Sequence, residues 1–222
     1  MILHSKIWHH MILHGKVGPE IQGNNSGMQL AGFVLAGGQS RRMGRDKALL
    51  QIDPGGPTLL EHAAKTVLEA VGNVTIVGAP ERYGHLGWRA VADLASGVGR
   101  TGLGPMGGLE TILKVSKTDW NLVVACDMPG LTAELLRGLI DSLKGEDCDC
   151  VVSQDSSGGL HPLCAVYHRR CLPAVERLIS DKCFTLHRLI DNLRAKHWLV
   201  SDNLLLQNVN SPSDLRPVQE SR

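Results

Sequence analysis

Several kinds of pattern are missing from this chain of 222 residues. It has no run of about 18 apolar residues, the length that a helix needs to cross a bilayer. It also has no strong excess of charge, because 23 lysines and arginines are balanced by 22 aspartates and glutamates. A balance of this kind gives little support to binding of nucleic acid or of a membrane surface. We therefore expect a soluble protein whose partner is a small anionic molecule.

The six cysteines show no pairing pattern. No two of them are spaced as C-x-x-C, and their spacing does not match that of zinc ligands. A chain of this length can build a core without disulfides. We expect reduced and mostly buried thiols in a cytoplasmic protein, at Cys126, Cys148, Cys150, Cys164, Cys171 and Cys183.

The first 28 residues differ from the rest of the chain. The string MILHSK at the start recurs as MILHGK ten residues later, and the segment ends in the polar run GNNSG. It lacks the cationic start and the continuous apolar stretch of a signal peptide. We expect residues 1–28 to be a disordered or non-native extension. Residues 29–222 should form a single domain, since their length and the chain's 43% apolar content suit one α/β core.

The most informative segment joins an apolar strand to a basic, glycine-rich loop. Residues 30–36 have the composition of a short buried strand, which Gly37 and Gly38 end. Backbone N–H groups of such a loop can bind an anion. Four cationic side chains follow within ten residues: Arg41, Arg42, Arg45 and Lys47. We interpret this loop as a binding site for the phosphates of a nucleoside triphosphate, with Asp46 among the cations to hold one of them in place.

Apolar strands alternate with helical patterns along the rest of the chain, which predicts a doubly wound sheet. Thr58 and Glu61 have the spacing of a capping box at the start of a helix that runs to residue 71. The other predicted strands are 74–77, 89–92, 120–126, 150–153, 163–167 and about 197–200. The other predicted helices are 108–114, 132–143, 172–179 and 186–193. Ligands bind at the carboxyl ends of strands in such sheets, where we place Gly37, Asp93 and Asp127.

Asp127 ends an apolar strand, and Pro129 prevents the strand from continuing. Magnesium usually takes one or two protein carboxylates and completes its shell with water and substrate phosphate oxygens. Asp127 is therefore our candidate Mg²⁺ ligand. The alternative is that Asp127 caps the helix that begins near Thr132.

The loop matches neither the P-loop pattern nor the G-x-G-x-x-G dinucleotide pattern. The string L-A-G-G-x-S-x-R-M-G-x-D-K-A-L-L instead resembles the molybdenum cofactor guanylyltransferase (MobA) family of nucleotidyltransferases. Four later segments resemble the same family in order: G-P-[LM]-x-G, C-D-x-P, H-P-L-x-A and N-V-N-x-P-x-D-L. The resemblance implies a three-layer, Rossmann-like α/β fold with a mostly parallel sheet.

The resemblance also implies a reaction, in which the terminal phosphate of molybdopterin attacks the α-phosphorus of GTP and pyrophosphate leaves. It implies Mg²⁺ as cofactor, GTP and molybdopterin as small-molecule partners, and transient contact with cofactor-biosynthesis proteins or apo-molybdoenzymes. We expect a monomer with no nucleic-acid or membrane partner. The alternative is a cytidylyltransferase or another transferase that acts on molybdopterin or a different small phosphorylated acceptor.

The family's site residues map onto this sequence at the matching motifs. Arg42 and Lys47 would hold the triphosphate, and Asp127 would bind the metal. The nucleotide would contact Leu35, Ala36, Gly37, Lys47, Asp93 and Asp127. The acceptor side of the cleft would include His161, Asn208 and Asn210.

Three alternatives stay open at these positions. His161 is a structural histidine in one interpretation and a general base in the other. Ser211 or Ser213 caps a short final helix if Asn210 has no ligand role. Gly107 and Gly108 serve either close helix packing or close approach of a ligand. A nucleotide-contacting Asn of some family members aligns with Gly78, so this sequence departs from the family pattern at that position.

Overall fold

The computed structural model describes residues 28–37, 46–94, 102–209 and 214. Arg42 and Asn210, which the sequence places in the site, lie outside these ranges, as do the other two loop arginines and nearly all of the predicted extension. Thirteen helices and strands are found in the described ranges. In chain order they are β1 Leu30–Ala36, α1 Leu59–Val71, β2 Thr75–Gly78, α2 Pro80–Tyr83, β3 Arg89–Ala92, α3 Pro105–Val115, β4 Trp120–Ala125, α4 Ala133–Asp141, β5 Cys150–Gln154, β6 Leu160–His168, α5 Leu172–Ser180, α6 Leu186–Asp191 and β7 Ala195–Leu199.

The seven strands form one sheet in the order β3-β2-β1-β4-β6-β5-β7. β1 is parallel to β2 on one side and to β4 on the other, so Val34 pairs with both Ile76 and Val124. β6 is antiparallel to β4 and β5, and β7 is again parallel to β5. The chain moves outward from β1 to β3 and then returns to the other side of β1 as β4. This reversal creates the crevice at which doubly wound sheets bind ligands.

Helices cover both faces of the sheet, because its strands alternate apolar side chains between the two faces. Val34 and Val124 point into one core with α1 and α4, whereas Leu35 and Val123 point into a second core with α3, α5 and α6. The resulting helix–sheet–helix sandwich confirms the predicted three-layer fold.

The capping box at the start of α1 is also confirmed. The Thr58 hydroxyl accepts from the Glu61 N–H at 3.2 Å, and the Glu61 carboxylate accepts from the Thr58 N–H at 2.8 Å. The helix ends at Gly72, whose φ of +82° favours glycine. These two ends fix the position of the helix that packs beside β1.

The strand that contains Pro162 is longer than predicted. The sequence suggested residues 163–167, but β6 runs from Leu160 to His168. The described pairing with β4 ends at Cys164, and the pairing with β5 shifts register between Val152 and Ser153. Pro162 therefore lies where a missing N–H costs no regular ladder hydrogen bond.

The cysteines agree with the expectation of mostly buried thiols. All six cysteines are free thiols, and five of them are buried. None of the helices in the described ranges is long and apolar enough to cross a membrane.

Candidate active site

The residues that follow β1, β3 and β4 lie at one edge of the sheet. These three strands run in the same direction, so Gly37, Asp93 and Asp127 all come at carboxyl ends, as the sequence predicts. Backbone bonds continue the strands into this edge, from the Cys126 N–H to the Leu35 carbonyl at 3.1 Å and from the Asp93 N–H to the Gly78 carbonyl at 3.3 Å. Gly37 and Asp127 are on adjacent strands, and Asp93 is two strands from Gly37.

Lys47 and Asp127 form the central contact of this edge. Lys47 Nζ donates to Asp127 Oδ2 at 2.8 Å, although 80 residues separate the two in sequence. The other carboxylate oxygen, Asp127 Oδ1, is buried and has no hydrogen-bond partner in the described part of the chain. A buried anionic oxygen without a donor is costly, and a bound cation would offset that cost.

The composition of the edge fits magnesium better than zinc. Across the described residues no three His, Cys, Asp or Glu side chains gather into a metal-binding group. Mg²⁺ does not need such a group, because water and phosphate oxygens complete its shell. Asp127 Oδ1 is therefore a suitable protein ligand for this ion.

Asp127 does not cap the next helix, so the alternative interpretation of this residue is wrong. The Thr132 hydroxyl accepts from the Leu135 N–H at 3.2 Å and takes the N-cap position of α4. The carboxylate of Asp127 contacts Lys47 instead.

Lys47 is at the start of a short 3₁₀ turn, Lys47–Leu49, which Asp46 caps. Asp46 Oδ1 accepts from the Ala48 N–H at 3.1 Å. Asp46 Oδ2 accepts from the Tyr83 hydroxyl at 2.9 Å and from Arg82 at 3.3 Å. The carboxylate thus contacts Arg82 of α2, a cation from outside the loop, whereas the three loop arginines lie outside the described residues. Nothing in the sequence pattern had indicated Tyr83 or Arg82, because both approach Asp46 only through the fold.

The backbone at the carboxyl end of β1 packs closely against Gly78 of β2. Leu35 and Ala36 are buried, whereas Gly37 is exposed. A Cβ on Gly78 would lie 1.9 Å from the Ala36 carbonyl oxygen. No side chain fits at position 78 with this backbone, so the position that aligns with the Asn of some family members has no side chain here.

Asp93 joins the tip of β3 to α3. The Thr111 hydroxyl lies 3.1 Å from Asp93 Oδ1 and accepts from the Leu94 N–H at 3.0 Å. A Cβ on Gly108 would lie 2.6 Å from the Leu35 side chain. Close packing of α3 on β1 therefore explains Gly108, which was one of the two interpretations left open by the sequence.

The segment after β7 returns to the loop that carries Asp127. The Val209 N–H donates to the Asp127 carbonyl at 2.8 Å, which places the exposed Asn208 beside the site. A Cβ on Gly130 would lie 2.4 Å from the Leu204 carbonyl oxygen, so the two segments are in close contact. Asn210, the next residue, lies outside the described ranges.

His161 is the second residue of β6, directly after the turn that joins β5 to β6. Its Nε2 is 3.0 Å from Asp155 Oδ2. Hydrogen bonds from Ser157, from His161 and from the Gly159 N–H hold the pKa of Asp155 well below its usual range. The turn is at the same edge as Asp127, but the contacts of His161 there favour the structural interpretation.

Cys126, next to Asp127, is not suited to act as a nucleophile. Burial raises the pKa of its thiol to about 12, and the neighbouring charge of Asp127 acts in the same direction. The thiol stays protonated near neutral pH, and thiolates are the reactive form of cysteine.

Comparison with known proteins gives consistent matches. Residues 32–197 match the family model described as a MobA-like NTP transferase domain. A probable molybdenum cofactor guanylyltransferase of Pelotomaculum thermopropionicum is 37% identical over 199 residues, which cover 85% of this chain and 91% of that protein. One from Mycolicibacterium paratuberculosis is 32% identical and covers 88% of this chain and 98% of its own.

A solved structure shares the fold. The molybdopterin-guanine dinucleotide biosynthesis protein A of Archaeoglobus fulgidus superposes with a TM-score of 0.66, covering 84% of this chain and 95% of that one. Its sequence is 23% identical, so this likeness supports the architecture alone.

Proposed function

The chain belongs to the MobA-like NTP transferase family, and on that premise we propose that it transfers GMP from GTP to the terminal phosphate of molybdopterin. The products are pyrophosphate and the guanine dinucleotide form of the cofactor. The relatives that carry the name molybdenum cofactor guanylyltransferase support this choice of substrates. The observation that carries it is the Lys47–Asp127 contact at the crevice between β1 and β4.

The reaction breaks one bond and forms one. An oxygen of the acceptor phosphate attacks the α-phosphorus of GTP, and the bond from that phosphorus to the bridging oxygen breaks as pyrophosphate leaves. The attacking oxygen belongs to the substrate, so the protein needs no nucleophilic side chain. Its task is to position two anions and to neutralise charge that develops on the phosphate oxygens.

Lys47 and Asp127 divide this task between them in our proposal. The Lys47 ammonium binds the triphosphate with a charge-assisted hydrogen bond, together with Arg42 of the same loop. Asp127 Oδ1 would hold Mg²⁺, which when bound would offset negative charge on the phosphate oxygens. Both side chains are partly shielded from water, with exposed fractions of 19% and 22%, which strengthens their interaction with a charged ligand.

The remaining site residues are assigned to the two substrates. We assign the backbone of Leu35, Ala36 and Gly37 to the nucleotide, together with the carboxylate of Asp93. Residues 208 and 210, both Asn, flank Val209 in sequence, whose N–H donates to the Asp127 carbonyl, and they are assigned to the acceptor side with His161. We further propose a cytoplasmic monomer that contacts cofactor-biosynthesis proteins or apo-molybdoenzymes transiently.

Pyrophosphate release measured with each of the four nucleoside triphosphates tests this function. Each reaction contains the protein, Mg²⁺ and molybdopterin, and matched reactions omit molybdopterin. We expect release with GTP that depends on the acceptor. Release with CTP alone would show the cytidylyl alternative to be correct. Release with none of the four would contradict the transfer reaction.

A further inference from the structure

Tyr83 contacts the phosphate-binding loop from outside it. We propose that Tyr83 is a positioning residue for nucleotide binding, which acts through Asp46 to hold Lys47 in place. The inference rests on the proposed function, because it assumes that Lys47 binds the triphosphate. It adds a residue that lies outside the loop motif, on the helix that follows β2.

A continuous path of hydrogen bonds leads from Tyr83 to Lys47. The Tyr83 hydroxyl donates to Asp46 Oδ2 at 2.9 Å, and Asp46 Oδ1 accepts from the Ala48 N–H at 3.1 Å. Ala48 is the middle residue of the 3₁₀ turn that Lys47 begins. The carboxylate therefore links a buried phenol directly to the backbone that carries the lysine.

The turn needs such support because it is short. Two backbone bonds close it, from Leu49 to the Asp46 carbonyl and from Leu50 to the Lys47 carbonyl, both at 3.1 Å. Short 3₁₀ segments have poor hydrogen-bond geometry and little stability of their own. A lysine side chain is also long and flexible, so the position of its charge depends on where its backbone is held. Displacement by about 1 Å can reduce a catalytic effect strongly.

Tyr83 itself is rigidly placed. Its side chain is only 2% exposed, in the core with α1 and the tip of β1. A Cβ on Gly78 would lie 3.1 Å from Cε2 of Tyr83, so the tyrosine ring packs directly above the glycine. Burial and the hydrogen bond to Asp46 raise the pKa of the phenol well above its usual value, so the hydroxyl remains a donor.

Arg82 does not replace this contact. Its side chain is 63% exposed, and its guanidinium is 3.3 Å from the same Asp46 oxygen. Ion pairs at exposed positions contribute little, because water and salt screen them. Of the two described contacts to Asp46 Oδ2, the buried phenol is therefore the one that contributes more to its position.

The test uses Tyr83→Phe, which removes one hydroxyl and leaves the ring. Its matched control is Tyr167→Phe, because the Tyr167 hydroxyl also makes a buried hydrogen bond, to the Pro162 carbonyl at 2.8 Å. Calorimetry with GTP and Mg²⁺ measures binding, and thermal melting measures folding. We expect Tyr83→Phe to weaken GTP binding by about two- to tenfold. The control should lose similar thermal stability and retain the wild-type affinity for GTP.

A double-mutant cycle shows whether Tyr83 acts through the lysine. Tyr83→Phe is combined with Lys47→Ala, and coupling appears as a departure from additivity. We expect Tyr83→Phe to cause no further loss of GTP affinity once Lys47 is alanine. A second variant, Asp46→Asn, should show the same dependence on Lys47.

The outcomes separate this inference from the proposed function. If Lys47→Ala weakens GTP binding but Tyr83→Phe does not, or if the two effects are additive, the positioning role is wrong and the function stands. If Lys47→Ala leaves GTP affinity at the wild-type value, the proposed phosphate site is wrong and the inference fails with it.

Discussion

Lys47 Nζ and Asp127 Oδ2 are 2.8 Å apart, and each belongs to a different part of the proposed chemistry. The lysine is assigned to the triphosphate and the aspartate to the metal. A magnesium nucleotide that uses both side chains has to compete with the ion pair between them, because each charge would then interact with the ligand as well as with its partner. Metal binding and phosphate binding are therefore expected to depend on one another.

Lys47→Met is expected to raise the affinity of the nucleotide-free protein for Mg²⁺. The ammonium next to Asp127 offsets part of the carboxylate charge, and its removal leaves that charge to the ion. The gain should be at least about fivefold, which corresponds to an adjacent charge worth about 1 kcal/mol. Titration calorimetry with Mg²⁺ alone measures it.

Lys144→Met is the control for this measurement. Lys144 pairs with Asp141 beyond the far end of α4, and its side chain is 66% exposed. Equal Mg²⁺ affinity of wild type, Lys47→Met and Lys144→Met would contradict the assignment of the ion to Asp127.

Asp127→Asn should reduce guanylyl transfer by at least about 100-fold, a scale typical of the loss of one electrostatic stabiliser. The amide keeps the size of the carboxylate but removes its charge, so we expect the protein to fold. Pyrophosphate release at saturating Mg²⁺ measures the effect, and Asp141→Asn is the exposed control. Activity within threefold of wild type would show that Asp127 is not the metal ligand.

Gly78→Asn should destabilise the protein. A Cβ there would lie 1.9 Å from the Ala36 carbonyl oxygen, so β1 and β2 must separate at the ligand edge. We expect a loss at the upper end of the roughly 1–3 kcal/mol typical of overpacking. Urea unfolding measures it. Gly84→Asn is the control, because Gly84 has a helical φ of −60° and open space around its Cβ position. Equal losses in the two variants would show that the contact at Gly78 is relieved at little cost.

Asp149 should make the stability of the folded protein depend on pH in the acidic range. Hydrogen bonds from Arg194 lower the pKa of its carboxyl to about 2, from a usual value near 3.8. The folded state binds this proton less readily than the unfolded state, so the stabilisation is present above pH 3.8 and is lost as the pH falls towards 2.

Asp149→Asn removes this dependence. Between pH 4 and 2 the free energy of unfolding should fall less steeply with pH in the variant than in wild type. The difference in slope should correspond to at most about one bound proton. Urea unfolding at several pH values measures the slope, and Asp191→Asn serves as an exposed control. The same slope in wild type and Asp149→Asn would show that this carboxyl does not carry the acid dependence.

Local patterns predicted most of the elements of this fold. The strand from Leu30 to Ala36 and the capping box at Thr58 were predicted at their observed positions, because both depend on neighbouring residues. The placement of Gly37, Asp93 and Asp127 at one edge also followed, since it needs only parallel strands with ligands at their carboxyl ends.

Contacts between distant segments could not be predicted in the same way. The Tyr83–Asp46 bond depends on how α2 packs against the loop before α1, and a single sequence does not show that packing. The length of β6 was missed because Pro162 normally ends a strand, and only the register shift in β5 makes it acceptable. The contact of Val209 with Asp127 depends on the path of the chain after the last strand.

The contact of Val209 with Asp127 shows that the folded domain extends beyond the residues that match the family model. The match ends at residue 197, within β7, yet Leu206 and Val209 are buried and Val209 holds the carbonyl of the proposed metal ligand. A fragment that ends at residue 197 would lack the last two residues of β7 and the segment that contacts the Asp127 loop, so that loop would be exposed to solvent. Any domain transplanted into another protein, or fused at its carboxyl end, should therefore extend past Val209.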